Sequence, residues 1–401
     1  MLPGVCIQRV RAAAEDSVTQ SSLSKTLDSS RKQLILRQLA DREPSDFARK
    51  AWFQGTRTSG TWVWICPTEQ TALNARQFPV VAQTYFGTTP LQCIAGLVGQ
   101  TVREKAGPGR PDRITRCDAY GENLAKAVVP GGGQSFHHDA VNQAIFSVCQ
   151  TAGLSASTEC TDYFTSQLRE SAASTAIVQP LHSKQLKGYV PDGRQTAPAT
   201  SRHPEGVDQF TEVKIIHSGA AGAYQHADAR DNHHGGAAVQ LRQRNLRQDY
   251  IKELHKKDKK HFNTPDGQRG PLETIFRQTN FKGLVFGTFG EMSSNVLDLV
   301  ALAVDYGTEH LGRSIAASDI DVIRATIRRR FMARIAMASW KGYANLILDR
   351  IKYVGAGSTT NRTQWRHHMF ARGDSGDFDS FSFAHETDRM VPDTRPWGFV
   401  S

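Results

Sequence analysis

Within "FTEVKII", residues 210 to 216, a carboxylate and an amine stand two positions apart in a β-branched apolar run. Alternate side chains of a strand share a face, so Glu212 and Lys214 point together to one side. Val213 and Ile215 point to the other, toward a core. Asp192 closes an upstream extended stretch, "LKGYVPD", and pairing the two strands would bring its carboxylate beside Glu212. Two close carboxylates repel and raise a pKa unless a cation lies between them. Such oxygen donors suit Mg²⁺ or Mn²⁺, hard ions that take one or two protein carboxylates plus phosphate and keep several waters. A lysine at that point would orient an attacking water or stabilise charge on the phosphate. The competing reading is an edge strand whose Glu and Lys face water in a cross-strand ion pair.

The surrounding elements must hold these residues. "DAVNQAIFSVCQTAG" places Val141, Ile145, Val148 and Ala152 on one helical face and stops at Gly153. Three extended stretches follow, "STECTDYF", "LKGYVPD" and "FTEVKII", then the charged helix "AAVQLRQRNLRQDYIKELHKKDKK". "FKGLVFGTFG" reads as a buried strand, the fourth of the sheet, and "SSNVLDLVALAVDYGTEHL" as a buried helix capped by Ser293 or Ser294. The order from 137 to 310 is α-β-β-β-α-β-α, a small mixed α/β sheet flanked by helices.

Residues 1–30 read as a loose arm and 31–112 as a helical region, with Ser45 or Asp46 starting a helix and "TWVWICP" forming a strand or, alternatively, a buried loop. A Pro/Gly/Arg-rich linker near residue 110 separates these from a domain at 113–312, whose opening stretch "CDAYGENLAKAVVPGGGQSFHHDA" suggests a hairpin or loop. A basic helix at 313–352 and a polar, glycine-rich, disordered tail at 353–401 complete the chain.

The "PD" at 191–192, then "EVK" on an apolar strand in this order of elements, resembles the PD-(D/E)XK nuclease superfamily. The resemblance implies a restriction-endonuclease-like core in which Asp192 and Glu212 bind the divalent ion, Val213 belongs to the same metal set, and Lys214 assists the attacking water. An earlier acid often contributes, here Glu159 in "STECTDYF" first or Asp139 at the helix start second. "RCDAYGENLAKAVVPGGGQSFHHDAV", "QTAGLSASTECTDYF" and "GLVFGTFGEMS" are also similar to the region following reverse transcriptase in retroelement-derived open reading frames. There a Cys/His-rich segment and an "HD" helix precede such a nuclease. This sequence keeps Cys117 and His137 or His138 but offers no further ligands for a four-coordinate zinc site, and no polymerase motif is present. The resemblance implies a DNA substrate ahead of RNA and a polymerase or another element-encoded protein as partner. An inactive nucleic-acid-binding module on the same fold is the alternative.

Other candidates compete less well. "DKK" at 258–260 also fits (D/E)XK but lies in a charged helix, and Pro-Asp recurs at 111–112, 265–266 and 392–393. His226, His233 and His234 with Asp228 and Asp231 read as a loop beside the active strand rather than an HNH-type site. Arg242, Arg244, Arg247 and Lys256 on one helix are either a solvated face or backbone contacts to nucleic acid, while Arg328 and Arg329 on the last, beside an apolar stripe, mark either a nucleic-acid contact or a helix packed on the core. The glycine-rich turns lack GK[ST], and no GxSxG marks a serine hydrolase.

Composition agrees with a phosphate-rich partner: 49 basic against 39 acidic side chains give +10. Six cysteines without a CxxC pair suggest reduced thiols and an intracellular site, the nucleus included. No secretory signal or apolar run of ~20 residues suggests a membrane partner.

Overall fold

The computed structural model describes residues 20–43, 45–56, 58–63, 65, 67–68, 71–104, 113–129, 133–158, 160, 191–219, 224, 236–312 and 319–355. Helix α1 (Gln20–Ala40) begins inside the stretch expected to be loose. Its serines cost a helix only a few tenths of a kcal/mol each among Leu, Lys, Arg and Gln, which are good helix formers. Asp46 caps α2 (Phe47–Gln54), accepting the Arg49 N–H at 2.9 Å. The expected strand in "TWVWICP" is instead a 3₁₀ turn at Ser59–Val63. Trp62 packs edge-on against Phe78 and Tyr85 of α3 (Gln77–Phe86), so tertiary aromatic contacts replace a ladder.

The hairpin also falls elsewhere than expected. It pairs β1 (Thr101–Glu104) with β2 (Arg113–Arg116), ahead of the predicted stretch. That stretch forms helices because Asp118 accepts the N–H groups of Tyr120, Glu122 and Asn123, which starts α4 (Glu122–Lys126). α5 (Gly133–Thr151) follows, burying Val141, Ile145 and Val148 as their spacing requires, with Ala152 buried just beyond its end. Gly153 then takes φ +82°, a left-handed stop that suits glycine.

The main sheet has the order β3-β4-β5-β6. β3 (Ser155–Thr158), β4 (Gly193–Ala197) and β5 (Val207–Ile216) are antiparallel neighbours, and β6 (Phe281–Gly287) joins β5 in parallel. Between β5 and β6 run α6 (Ala237–Phe262) and a short helix the sequence reading did not separate, α7 (Pro271–Gln278). α8 (Ser294–Gly312) and α9 (Ile320–Arg350) complete this part of the chain. The result is a mixed α/β architecture with a small mixed sheet flanked by helices.

One sheet face, with Val213, Leu284 and Phe286, packs on α5, α8 and α9; the other packs on α6 and α7 through Leu246, Leu254, Phe276 and Phe281. The outer flank of β6 is closed by its own chain. Ser293 exchanges hydrogen bonds with Val285, Gly287 N–H reaches Glu291 O at 3.0 Å, and Asn295 Nδ2 reaches Gly283 O at 3.1 Å. Ser293 is therefore spent on β6 rather than capping α8. The first amides of α8 go to Gln240 and Gln243 of α6.

Packing runs across the linker near residue 110. Met1–Gly355 forms one compact unit, and Phe47 stacks on Tyr120 at 4.5 Å while Lys50 meets Glu122 at 2.8 Å. α9 places Ile327, Phe331, Ile335 and Ala336 in the main core, one of the two roles its sequence left open, and buries Trp340, Tyr343 and Ile347 further along. Its second half is too apolar to sit in water. The second unit, Ala356–Ser401, and with it nearly all of the expected disordered tail, lies outside the described residues. No helix among the described residues is long and apolar enough to cross a membrane.

Candidate active site

β5 alternates as its sequence demands. Val213 is fully buried in the main core with Ile215 packed against it, while Glu212 and Lys214 share the opposite face, the one covered by α6. Asp192 immediately precedes β4, whose first residue, Gly193, lies opposite Thr211. A side chain at 193 would stand 2.8 Å from Thr211 Oγ1, so glycine permits this register. One residue further on, the ladder has run out. The Asp192 carboxylate supplies the missing acceptor, and Val213 N–H donates to its Oδ2 at 2.7 Å. In an extended strand one residue's N–H and C=O point to the same flank. The Val213 carbonyl therefore faces the side that Asp192 occupies.

Lys214 Nζ donates to Glu212 Oε1 at 2.5 Å, and Glu212 Oε2 is buried with no hydrogen-bond partner. Burial pushes the Glu212 carboxyl up, and the Asp192 charge pushes it further, against the pull of Lys214 and the Tyr250 hydroxyl. Three of the four residues assigned to the reaction thus converge, with Val213 between them. The fourth, Glu159, lies outside the described residues, as does the loop with His226, Asp228, Asp231, His233 and His234.

α5 contributes more than the sequence reading assigned to it. His138 places Nε2 3.0 Å from Asp192 Oδ2 and Nδ1 3.1 Å from Asp139 Oδ1. Burial alone would lower the imidazole, but the hydrogen bond and charge of Asp192, helped by Asp139, hold it at about 9. One turn along, Asn142 Nδ2 donates to the Asp192 carbonyl at 3.2 Å. The i, i+4 spacing of His138 and Asn142 in "HHDAVN" was the available signal. Asp139, the second choice for the earlier acid, touches the cluster only through His138.

Of the expected nucleic-acid contacts, several are engaged within the protein. Arg242 pairs with Asp249 at 2.5 Å, and Arg247 donates to the Arg277 and Thr279 carbonyls while lying over Phe276. Lys256 pairs with Glu253 at the surface; Arg244, Arg328 and Arg329 are exposed. Asp258 is not on a solvated face. It is buried and accepts the N–H groups of Leu272 and Glu273, both at 3.0 Å, to start α7.

No group of three or more His, Cys, Asp or Glu side chains among the described residues is arranged to hold a metal ion. Two carboxylates and a backbone carbonyl nonetheless fit an ion content with few protein oxygens, and Glu212 Oε2 is buried without a hydrogen-bond partner. His137, a candidate ligand with Cys117, is buried against Ser339 instead, 3.3 Å from its hydroxyl. No family model, curated protein or solved structure matches the chain.

Proposed function

We propose that this chain is a metal-dependent endonuclease of the PD-(D/E)XK kind, retroelement-derived, hydrolysing DNA phosphodiesters with Mg²⁺ or Mn²⁺. On this reading α5 through α8, with the mixed sheet between them, are a restriction-endonuclease-like core. The observation that carries it is the meeting of Asp192, Glu212 and Lys214 where β4 begins, with one buried Glu212 oxygen unpartnered. Asp192, Glu212 and the Val213 carbonyl would hold the ion. When bound, it supplies Lewis acidity to a phosphoryl oxygen and acidifies nearby water. Lys214, on the strand face of Glu212, orients the attacking water and stabilises charge on the phosphate. His138 and Asn142 fix Asp192 from the helix side, so its carboxylate is aimed before substrate arrives.

A second reading has its own support. Each acid already has a cation, Lys214 on Glu212 and His138 on Asp192, so the cluster is neutralised without metal. A non-catalytic nucleic-acid-binding module would keep that arrangement and bind through exposed arginines such as Arg244, Arg328 and Arg329, more weakly as salt rises.

Cleavage of supercoiled plasmid and of single-stranded DNA in Mg²⁺, Mn²⁺ or EDTA separates the two. Metal-dependent cutting is expected for the natural chain and lost in Glu212→Ala and Lys214→Ala, each with an unchanged circular-dichroism spectrum. Full activity in either variant overturns the site. Salt-sensitive binding with no cutting at all favours the module.

A further inference from the structure

A second cluster lies between the last turns of α9, the start of α5, the end of β5 and the hairpin. Arg350 is fully buried. Its Nη1 donates to the Leu124 and Ala125 carbonyls at 2.7 and 2.6 Å, while Nε and Nη2 have no partner. Those two nitrogens form the edge that grips an oxyanion with two parallel bonds; Arg194 uses the same pair on Asp208, both at 2.9 Å. A buried cation with its fork empty is expensive. Glu104 acts on Arg350 through its charge without closing an ion pair, and Glu104 Oε1 is itself buried and unpartnered.

The neighbours show the same deficit. His137 stands 6.0 Å from His217 and 6.2 Å from Tyr343, ring to ring, and His217 lies close enough to feel the Arg350 charge. His137 Nδ1 and His217 Nδ1 are buried with no hydrogen-bond partner, and the buried Tyr343 oxygen has the Thr84 hydroxyl beside it, which leaves the phenol's own proton to donate. Burial keeps both imidazoles neutral, with Arg350 adding to the effect at His217. The unmet groups are thus a guanidinium edge and a phenol that donate, and imidazole nitrogens and a carboxylate oxygen that can accept.

We propose that these side chains form a binding site for one hydrogenphosphate ion, held bidentately by Nε and Nη2 of Arg350. Its charged oxygens accept from Arg350 and Tyr343, and its P–OH donates to an imidazole Nδ1 or to Glu104 Oε1. Sulfate, which has no O–H at neutral pH, meets only half of these groups. Arg350, His137 and Tyr343 are 0, 0 and 1% exposed, which leaves no way out for an esterified chain and selects the free ion over a phosphate monoester. The site is independent of Asp192 and Glu212, so it stands or falls separately from the nuclease reading.

Thermal unfolding of the full chain at constant ionic strength tests it, with inorganic phosphate, sulfate, chloride or methyl phosphate as the anion. A saturable rise in Tm with inorganic phosphate alone is expected. Tyr343→Phe, which keeps the ring and removes one donor, should raise the half-saturating phosphate concentration about tenfold. Phosphorus NMR of the purified, acid-denatured protein should find up to one phosphate per chain. A Tm in phosphate equal to that in chloride overturns the site, leaving Arg350 to Glu104 and buried water. Equal stabilisation by sulfate overturns the hydrogenphosphate assignment, and equal stabilisation by methyl phosphate overturns the selection of the free ion.

Discussion

Replacing Glu291 with glutamine should change how stability responds to pH. Glu291 is fully buried in the turn after β6, where Oε1 accepts the Tyr224 hydroxyl at 2.5 Å and Oε2 accepts the Phe289 N–H at 2.8 Å. Burial pushes its carboxyl from the ordinary 4.5 up to about 7, against the lowering effect of those hydrogen bonds. Between these values the folded chain keeps a proton that the unfolded chain has lost. Stability from this group is therefore fully present below about pH 4.5 and falls as pH rises to about 7, by roughly 3 kcal/mol in all. An amide resembles the protonated acid at every pH. Urea unfolding followed by the fluorescence of buried Trp340 should find Glu291→Gln and the natural chain similar at pH 5. At pH 8 the variant should be the more stable by up to ~3 kcal/mol. Taking the difference between the two proteins cancels the other titrating groups. A difference that is the same at both pH values would refute the reasoning.

Three further substitutions probe the architecture around the site. Asp258→Ala strips α7 of two buried amide acceptors and should cost about 2–4 kcal/mol in the same urea assay. Gly290→Ala puts a methyl group 2.6 Å from the Trp340 ring at φ +73°, and a loss of at least about 2 kcal/mol is expected, seen as a lower Tm. Glu212→Gln should abolish cleavage yet leave urea stability equal or higher, because it removes a buried charge whose second oxygen has no partner. A marked loss of stability in that variant would assign Glu212 to the fold instead.

The strand carrying Glu212 and Lys214 was legible because two-residue alternation is a local property, and so was the face of α5, which repeats every 3.6 residues. Asp192 was legible as a neighbour of Glu212 but not as the acceptor for Val213 N–H. That role depends on β4 beginning at Gly193, a boundary set by pairing with Thr211. Trp62 has strand propensity, but the rings of α3 decide its conformation. Asp258 looked solvated because its helix is charge-rich, and only the return of the chain at Leu272 buries it. The same holds for α9. Its arginines and its apolar stripe left a nucleic-acid contact and a core-packed helix equally open, and the sheet and α5 beside Phe331, Ile335 and Trp340 decide for the core.

The closed flank of β6 bears on how copies of this protein meet. An exposed strand edge is a template on which another chain can add itself, and natural sheets spend residues to prevent it. Here Ser293, Glu291 and Asn295 occupy the outward N–H and C=O groups of β6 from within the same chain. Intermolecular strand addition at that side would first have to peel away the start of α8. The buried parallel strand, the most apolar in the sheet, is thereby kept out of reach of aggregation.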